Sequence, residues 1–275
     1  ELRYAKYYER NPLGPARFWL ARDRESAAFV GLAALFPSRL RVLGEPVAAV
    51  LSADFVVDAA HRGFGPALAL QRATLVGLAE NGVRCAFGCP NEFSDPVIAR
   101  VGYADVGTLT RFVKVLKSRH VIERRVRPRV LARGASLLSS VTADPLLSLL
   151  SQERRHRRAG ELRIEKPAVF DARFSDVWEA VHRVNRVTAE RSVEVLNWKY
   201  DRNAEVNGES GYVIFALVTA EDSVAGYAVY RVDDGVRDIV DIAFMPSQHV
   251  ADALLSELIL DARAEGHGAL HLYHL

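Results

Sequence analysis

The sequence predicts an α/β (α+β) chain in which a mixed, largely antiparallel sheet flanked by helices is present twice. Three observations carry this expectation. Leu51 to Gln71 opens as a β-branched, aromatic strand (Phe55, Val56, Val57), passes through Arg62-Gly63-Phe64-Gly65, and leaves as a helix rich in Ala and Leu. Strand-like runs separated by polar turns precede it, as in an antiparallel meander. The same landmarks then return. Tyr200-Asp201-Arg202-Asn203 echoes Tyr8-Glu9-Arg10-Asn11, Val240-Asp241-Ile242-Ala243-Phe244 echoes Ala53-Asp54-Phe55-Val56-Val57, and His249 falls where His61 does.

Taken in order, Glu1 to Asn11 reads as the end of a helix stopped by Pro12 and Gly14. Ala16 to Ala21 is a strand, Asp23 to Ser26 a turn, Phe29 to Phe36 a strand, and Gly44-Glu45-Pro46 the turn before the central strand. Beyond the helix come the apolar strand Cys85 to Cys89, Pro90-Asn91-Glu92-Phe93-Ser94, a short helix, Gly102-Tyr103, and a strand from Thr108 to Leu116. Lys117 to Gly160 is different. Arginines crowd both its ends, and leucines between them fall at amphipathic helical spacing. Sheet grammar then resumes with strand Leu162 to Phe170 and helices Ser175 to Asn185 and Val193 to Tyr200. Strands Tyr212 to Val218, Val224 to Arg231 and Arg237 to Phe244, helix Gln248 to Glu265 and strand Ala269 to Leu275 complete it. The expected domains are therefore 1–116, a basic and partly helical connector 117–160, and 161–275.

With 275 residues, 49% of them hydrophobic, the chain can bury one or two cores. A net charge of +2 gives no global pull towards an acidic partner. Cys85 and Cys89 are too few for a disulfide framework or a four-ligand zinc site. Both read as small buried hydrophobes, with Cys89 alternatively near the site. No apolar run reaches the roughly 18–20 residues of a membrane span, and no signal peptide is visible, so a cytoplasmic protein is expected. The chain begins at Glu1 rather than Met, so a preceding segment is expected to have been removed or left out.

A strand feeding a glycine turn at a helix N-terminus suits an anion, because the first-turn N–H groups lack intrahelical partners and the helix dipole favours negative charge. Gly63 and Gly65 are expected to let the backbone approach a ligand and to adopt positive φ at little cost. Arg62-x-x-Gly65-x-Ala67 resembles the pyrophosphate loop of the GCN5-related N-acetyltransferases, the GNAT superfamily. The PN-x-x-S run at Pro90 to Ser94 and Gly102-Tyr103 resemble that superfamily's later landmarks. Against the family, residues 1–116 lack the first strand and helix: either the chain starts inside the domain or that element comes from elsewhere. Met245 to Ala251 has no glycine loop, so the second half resembles a degenerate partner in a tandem-GNAT arrangement.

The resemblance implies acyl transfer from acetyl-CoA or another acyl-CoA to an amine of a small-molecule acceptor by direct attack. By position, Arg62, Gly63, Gly65 and Ala67 would line the pyrophosphate, Phe55 and Val57 would offer main-chain groups to the pantetheine arm, and Asn91 and Ser94 would touch the cofactor. Asp54 in an apolar strand is the candidate base, its pKa expected to be raised by burial; Asp58 and Glu45 are alternatives. The family's acid, a tyrosine in the helix after the Asn, is replaced by Val97-Ile98-Ala99-Arg100, leaving Ser94 or water to protonate the thiolate; Tyr103 is expected in the core. Val193 to Tyr200, with Trp198, and Tyr4, Tyr7 and Tyr8 would lie on the acceptor side. No metal site is expected. Two rivals remain: a non-catalytic GNAT-fold binding or scaffold protein, and a tandem-GNAT aminoacyl transferase using charged tRNA. The basic connector reads first as a solvated linker whose leucines pack on a flanking domain, and alternatively as a segment suited to contact with nucleic acid or an anionic membrane.

Overall fold

The computed structural model describes residues 2–118, 153, 162–201 and 211–274; the expected connector lies almost wholly outside them. The chain divides into two compact units. One contains residues 1–107 and 185–199, the other residues 108–184 and 200–275. Each borrows a piece of chain from the other half of the sequence.

The first unit opens with α1 (Leu2–Tyr4), which widens into a π-helical turn over Ala5–Glu9. Its sheet runs β1 (Arg17–Arg22), β2 (Phe29–Val42), β3 (Glu45–Val57) and β4 (Cys85–Phe87) in that order. The first three are antiparallel, while β4 is parallel to β3. The parallel step requires a crossover, which α2 (Phe64–Glu80) provides. Leu78 of α2 packs with Leu35 and Val50, flanked by Trp19, Leu75, Val83 and Ala86. The short α3 (Asp95–Arg100) follows β4. β2 is longer than expected because Pro37, which reads as a strand breaker, stands in the ladder opposite Val50. β1 ends its pairing at Leu35 and the next neighbour on that edge starts at Leu40, so the missing N–H of Pro37 falls in a gap. Its carbonyl accepts from Asn11 Nδ2 at 2.8 Å.

The second unit is a six-stranded sheet. β5 (Thr110–Val115) comes from the first half of the sequence, followed by β6 (Leu162–Glu165), which is shorter than expected. After α4 (Ser175–Val184), two elements return to the first unit: β7 (Val187–Ala189), paired with Leu40 to Val42, and α5 (Val193–Lys199). Then come β8 (Val213–Thr219), β9 (Val224–Asp233), β10 (Val236–Phe244), α6 (Gln248–Ala264) and β11 (Ala269–His274). The order is β5-β11-β10-β9-β8-β6, with only β10–β11 parallel. Every residue from Val224 to Tyr230 is buried, which needs helices on both faces of the sheet. Leu254 and Leu258 of α6 pack with Phe215, Leu217 and Tyr230 on one of them.

Candidate functional site

β3 and β4 pair at only three positions, the last being Leu51 opposite Phe87. Beyond it the strands part. Gly88 makes the neck possible, since a Cβ there would lie 2.9 Å from the carbonyl oxygen of Ser52. The opening is a cleft of about 660 Å³, lined on one wall by Ser52 to Val57 and on the other by Gly88 to Asn91, Phe93, Ser94, Val97 and Ile98. Arg62, Gly63 and Ala67 line its end at α2. β2 pairs with β3 as far as Val57, so past Leu51 only the other edge of β3 offers main-chain groups to a ligand.

The α2 N-terminus has the charge the sequence predicts. Gly63 caps it without a side-chain hydrogen bond, and the first turn carries no acidic residue, so the positive end of the dipole is uncompensated. Asp58 shapes the approach, accepting from the Ala60 N–H at 2.9 Å. Arg62 Nε donates to the Val57 carbonyl at 3.4 Å. The glycine expectation needs correction. Gly63 is fully extended, with φ of 179°, and Gly65 is already helical, so neither uses positive φ. A Cβ on either would meet no protein atom within 4 Å, and of the two Gly63 lines the cleft.

On the opposite wall, Asn91 and Ser94 form a closed turn. Asn91 Oδ1 accepts from the N–H groups of Phe93 and Ser94 at 3.1 and 2.9 Å, and from Ser94 Oγ at 3.0 Å. Ser94 Oγ in turn accepts from the Asn91 N–H at 3.0 Å. This turn holds the Phe93 ring at the cleft mouth, 81% exposed. The two cysteines are not both buried: Cys89 is exposed and lines the cleft, whereas Cys85 is half-buried in β4. Tyr103 is half-buried against Ser52, and burial pushes its phenol up.

Asp54 faces the cleft from an irregular point in β3. Ala53 pairs with Ala34 and Val56 with Leu32, so β3 carries one residue more than β2 here, and Asp54 takes φ of +46°. Such a bulge re-aims a side chain, and Asp tolerates the left-handed region better than most residues. The raised pKa expected for Asp54 is not what the structure gives. Burial does push it up, but hydrogen bonds from Arg3 and Tyr8, with the Arg3 charge, outweigh that and hold the carboxyl below its ordinary range. Arg3 NH2 lies 2.6 Å from Oδ1 and the Tyr8 hydroxyl 2.8 Å from Oδ2. Partial burial, then the bond to Asp54, pushes Tyr8 up to about 12. The sequence could not show this, because Arg3 is 51 residues away.

The echo between halves now has a physical form. Tyr200 donates to Asp241 Oδ2 at 2.9 Å, as Tyr8 does to Asp54, and β10 also gains a residue beside its aspartate, between Ile239 and Asp241. The second pair is sealed, with Asp241 only 7% exposed; the first is open and has acquired Arg3. Tyr200→Phe is therefore expected to cost about 1–3 kcal/mol, the penalty for depriving a buried acceptor of a donor. Tyr8→Phe should cost less, and thermal unfolding of the two variants checks the order. Protonating Asp54 removes its favourable pairing, so its contribution to stability is present above the ordinary carboxylate pKa and lost as pH falls through the lower folded value. The thermal-midpoint gap between parent and Asp54→Asn should narrow below about pH 4; a gap unchanged down to pH 3 contradicts the pairing.

Of the expected acceptor-side residues, Tyr7 and Trp198 meet edge to face at 5.9 Å in the first unit, and Trp198 Nε1 donates to the Lys6 carbonyl at 3.0 Å. Tyr200 is a core residue of the second unit. None of them lines the cleft.

Residues 2–106 match the family described as an acetyltransferase (GNAT) domain. This stretch is a GNAT domain. No curated protein matches the chain. Among solved structures, a GCN5-related N-acetyltransferase from Anabaena variabilis is 15% identical, with a TM-score of 0.64, over 94% of this chain and 55% of its own. One from Kribbella flavida is 17% identical, with a TM-score of 0.61, over 94% and 53%. Saccharomyces cerevisiae N-myristoyltransferase with bound myristoyl-CoA is 10% identical, with a TM-score of 0.55, over 92% and 59%. At such identities the likeness is one of fold. The chain spans about half the length of these proteins, and no helix among its described residues is long and apolar enough to cross a membrane.

Proposed function

We propose that the protein transfers an acyl group from a coenzyme A thioester to an amine of a small-molecule acceptor, with the thioester held in the cleft of the GNAT domain. The observation that carries this reading is the parting of β3 and β4 in front of an uncompensated helix N-terminus. Support also comes from the GNAT match and from the yeast neighbour's bound myristoyl-CoA.

In this reading the first-turn N–H groups of α2 and the Arg62 guanidinium hold the pyrophosphate, and Gly63 and Gly65 leave room for it. Ala67 lines the same end of the cleft. Main-chain groups of Phe55 and Val57 bond the pantetheine arm and polarise the thioester carbonyl, so that donors wait where charge develops. Asn91 contributes its amide nitrogen, its oxygen being committed to the turn. Asp54 is ionised and draws the acceptor's amine to the bulge. Once attack on the thioester has begun and made the amine N–H acidic, even a weak carboxylate base can take that proton through a water. Because the Ser94 hydroxyl proton is engaged with Asn91, water protonates the departing thiolate. The second unit, without a glycine loop, serves as a cofactor-free partner in a tandem arrangement.

A second reading, a binding protein without turnover, is favoured by the absence of a tyrosine from Val97-Ile98-Ala99-Arg100 and by the engaged Ser94. The test is calorimetric titration with acetyl-CoA, followed by thiol release across a panel of amines. Saturable binding with amine-dependent release supports the enzyme, and binding without release supports the second reading. No binding of any acyl-CoA overturns both.

A further inference from the structure

Phe93 lines the cleft and is 81% exposed, the most exposed aromatic side chain among the described residues. A ring left in water forgoes the free energy of its own burial, so it gains by being covered. The main chain beneath it cannot tuck it away. The Phe93 N–H donates to Asn91 Oδ1 at 3.1 Å, and the Asn91 N–H to Ser94 Oγ at 3.0 Å. On the other side, the Ser94 carbonyl accepts from the N–H groups of Val97 and Ile98 at 3.1 and 3.0 Å. The ring is therefore carried on a fixed base.

Its place along the cleft follows from the two walls. β3 and β4 are parallel and part after Leu51 and Phe87, so both walls lead outward from one neck. One runs from Ser52 through Val57 to Arg62 and Gly63 at α2, the other from Gly88 through Asn91 to Phe93. α2 and α3 pack together, and Ala67 of the first and Val97 and Ile98 of the second line the cleft. Phe93, two residues before α3, thus stands at the same outer end as the uncompensated N-terminus of α2. An anion cradle beside an uncovered ring fits a ligand in which a planar group follows phosphates.

We propose that Phe93 is the stacking platform for the adenine base of the bound coenzyme A. The proposal rests on the acyl-CoA reading above. With the pyrophosphate at α2, the ribose and base are the next groups outward, whereas the acyl group and the amine lie inward, at Asp54. Stacking of a base on a ring requires no hydrogen-bond partner, which suits a phenyl group that has none to give.

The experiment is calorimetric titration of CoA into the parent, Phe93→Ala and Phe93→Tyr, with the ultraviolet absorbance of adenine, which falls when the base stacks, read at saturation. Phe93→Ala is expected to weaken CoA binding at least about fivefold and to abolish the fall in absorbance. Phe93→Tyr should keep both, and all three thermal midpoints should agree because the ring is exposed. An affinity change below about twofold in the alanine variant overturns the proposal. So does weaker binding with the absorbance fall intact, which would put the ring against the pantetheine arm instead. Failure of the parent to bind CoA overturns the acyl-CoA reading itself, and the inference falls with it.

Discussion

Arg62→Glu combined with Gly65→Trp is expected to weaken acetyl-CoA binding by at least about 100-fold, through loss of a charge-assisted contact and the filling of the phosphate space. The thermal midpoint should stay within about 3 °C of the parent. Both halves of this expectation come from one geometry. A Cβ at Gly65 would meet no protein atom within 4 Å, so the indole starts from open space at the turn where the phosphates are proposed to sit. Arg62 is exposed in the lining, and its one main-chain bond is long, at 3.4 Å. Calorimetry and thermal unfolding on the same preparation check the pair. Retained binding would place the phosphates elsewhere, and a collapsed midpoint would mean that the loop supports the fold.

Gly88→Val should fail in the opposite way. Its Cβ would sit 2.9 Å from the Ser52 carbonyl oxygen and 3.5 Å from the Ser52 Cβ. The first neighbour is main chain of β3, held on its other edge by pairing of Ser52 with Leu35, and cannot swing aside. Overpacking of this kind costs about 1–3 kcal/mol, which lowers the midpoint by roughly 4–12 °C and forces β3 and β4 apart at the neck. Gly88→Ala tests the same contact with the smallest possible group. An alanine variant with an unaltered midpoint would show that the neck yields freely.

Much of this was legible in the sequence where local pattern decides. Leu51 to Gln71 folds as strand, turn and helix because side-chain period and glycine placement agree, and Arg62, Gly63, Ala67, Asn91 and Ser94 do line one cleft. Gly88 carried a signal that went unused: a glycine inside an apolar strand marks a close backbone approach. Other features depend on distant residues. The pKa of Asp54 is set by Arg3 and Tyr8, and Cys89 is exposed because its strand pairs no further than Phe87. Strand exchange is similarly hidden, since three residues at Val187–Ala189 hold too little periodicity to name a partner almost 150 positions away.

That exchange sets a timetable for synthesis. The edge of β2 at Leu40 to Val42 is made early, but its partner β7 is translated only after β5, β6 and α4 of the second unit. At about 5–20 residues per second, the nascent chain waits roughly 7–30 s with that edge open. The first unit therefore cannot close this edge until part of the second unit has been made. Slower translation after residue 42 would lengthen the interval in which another nascent chain could take the place of β7.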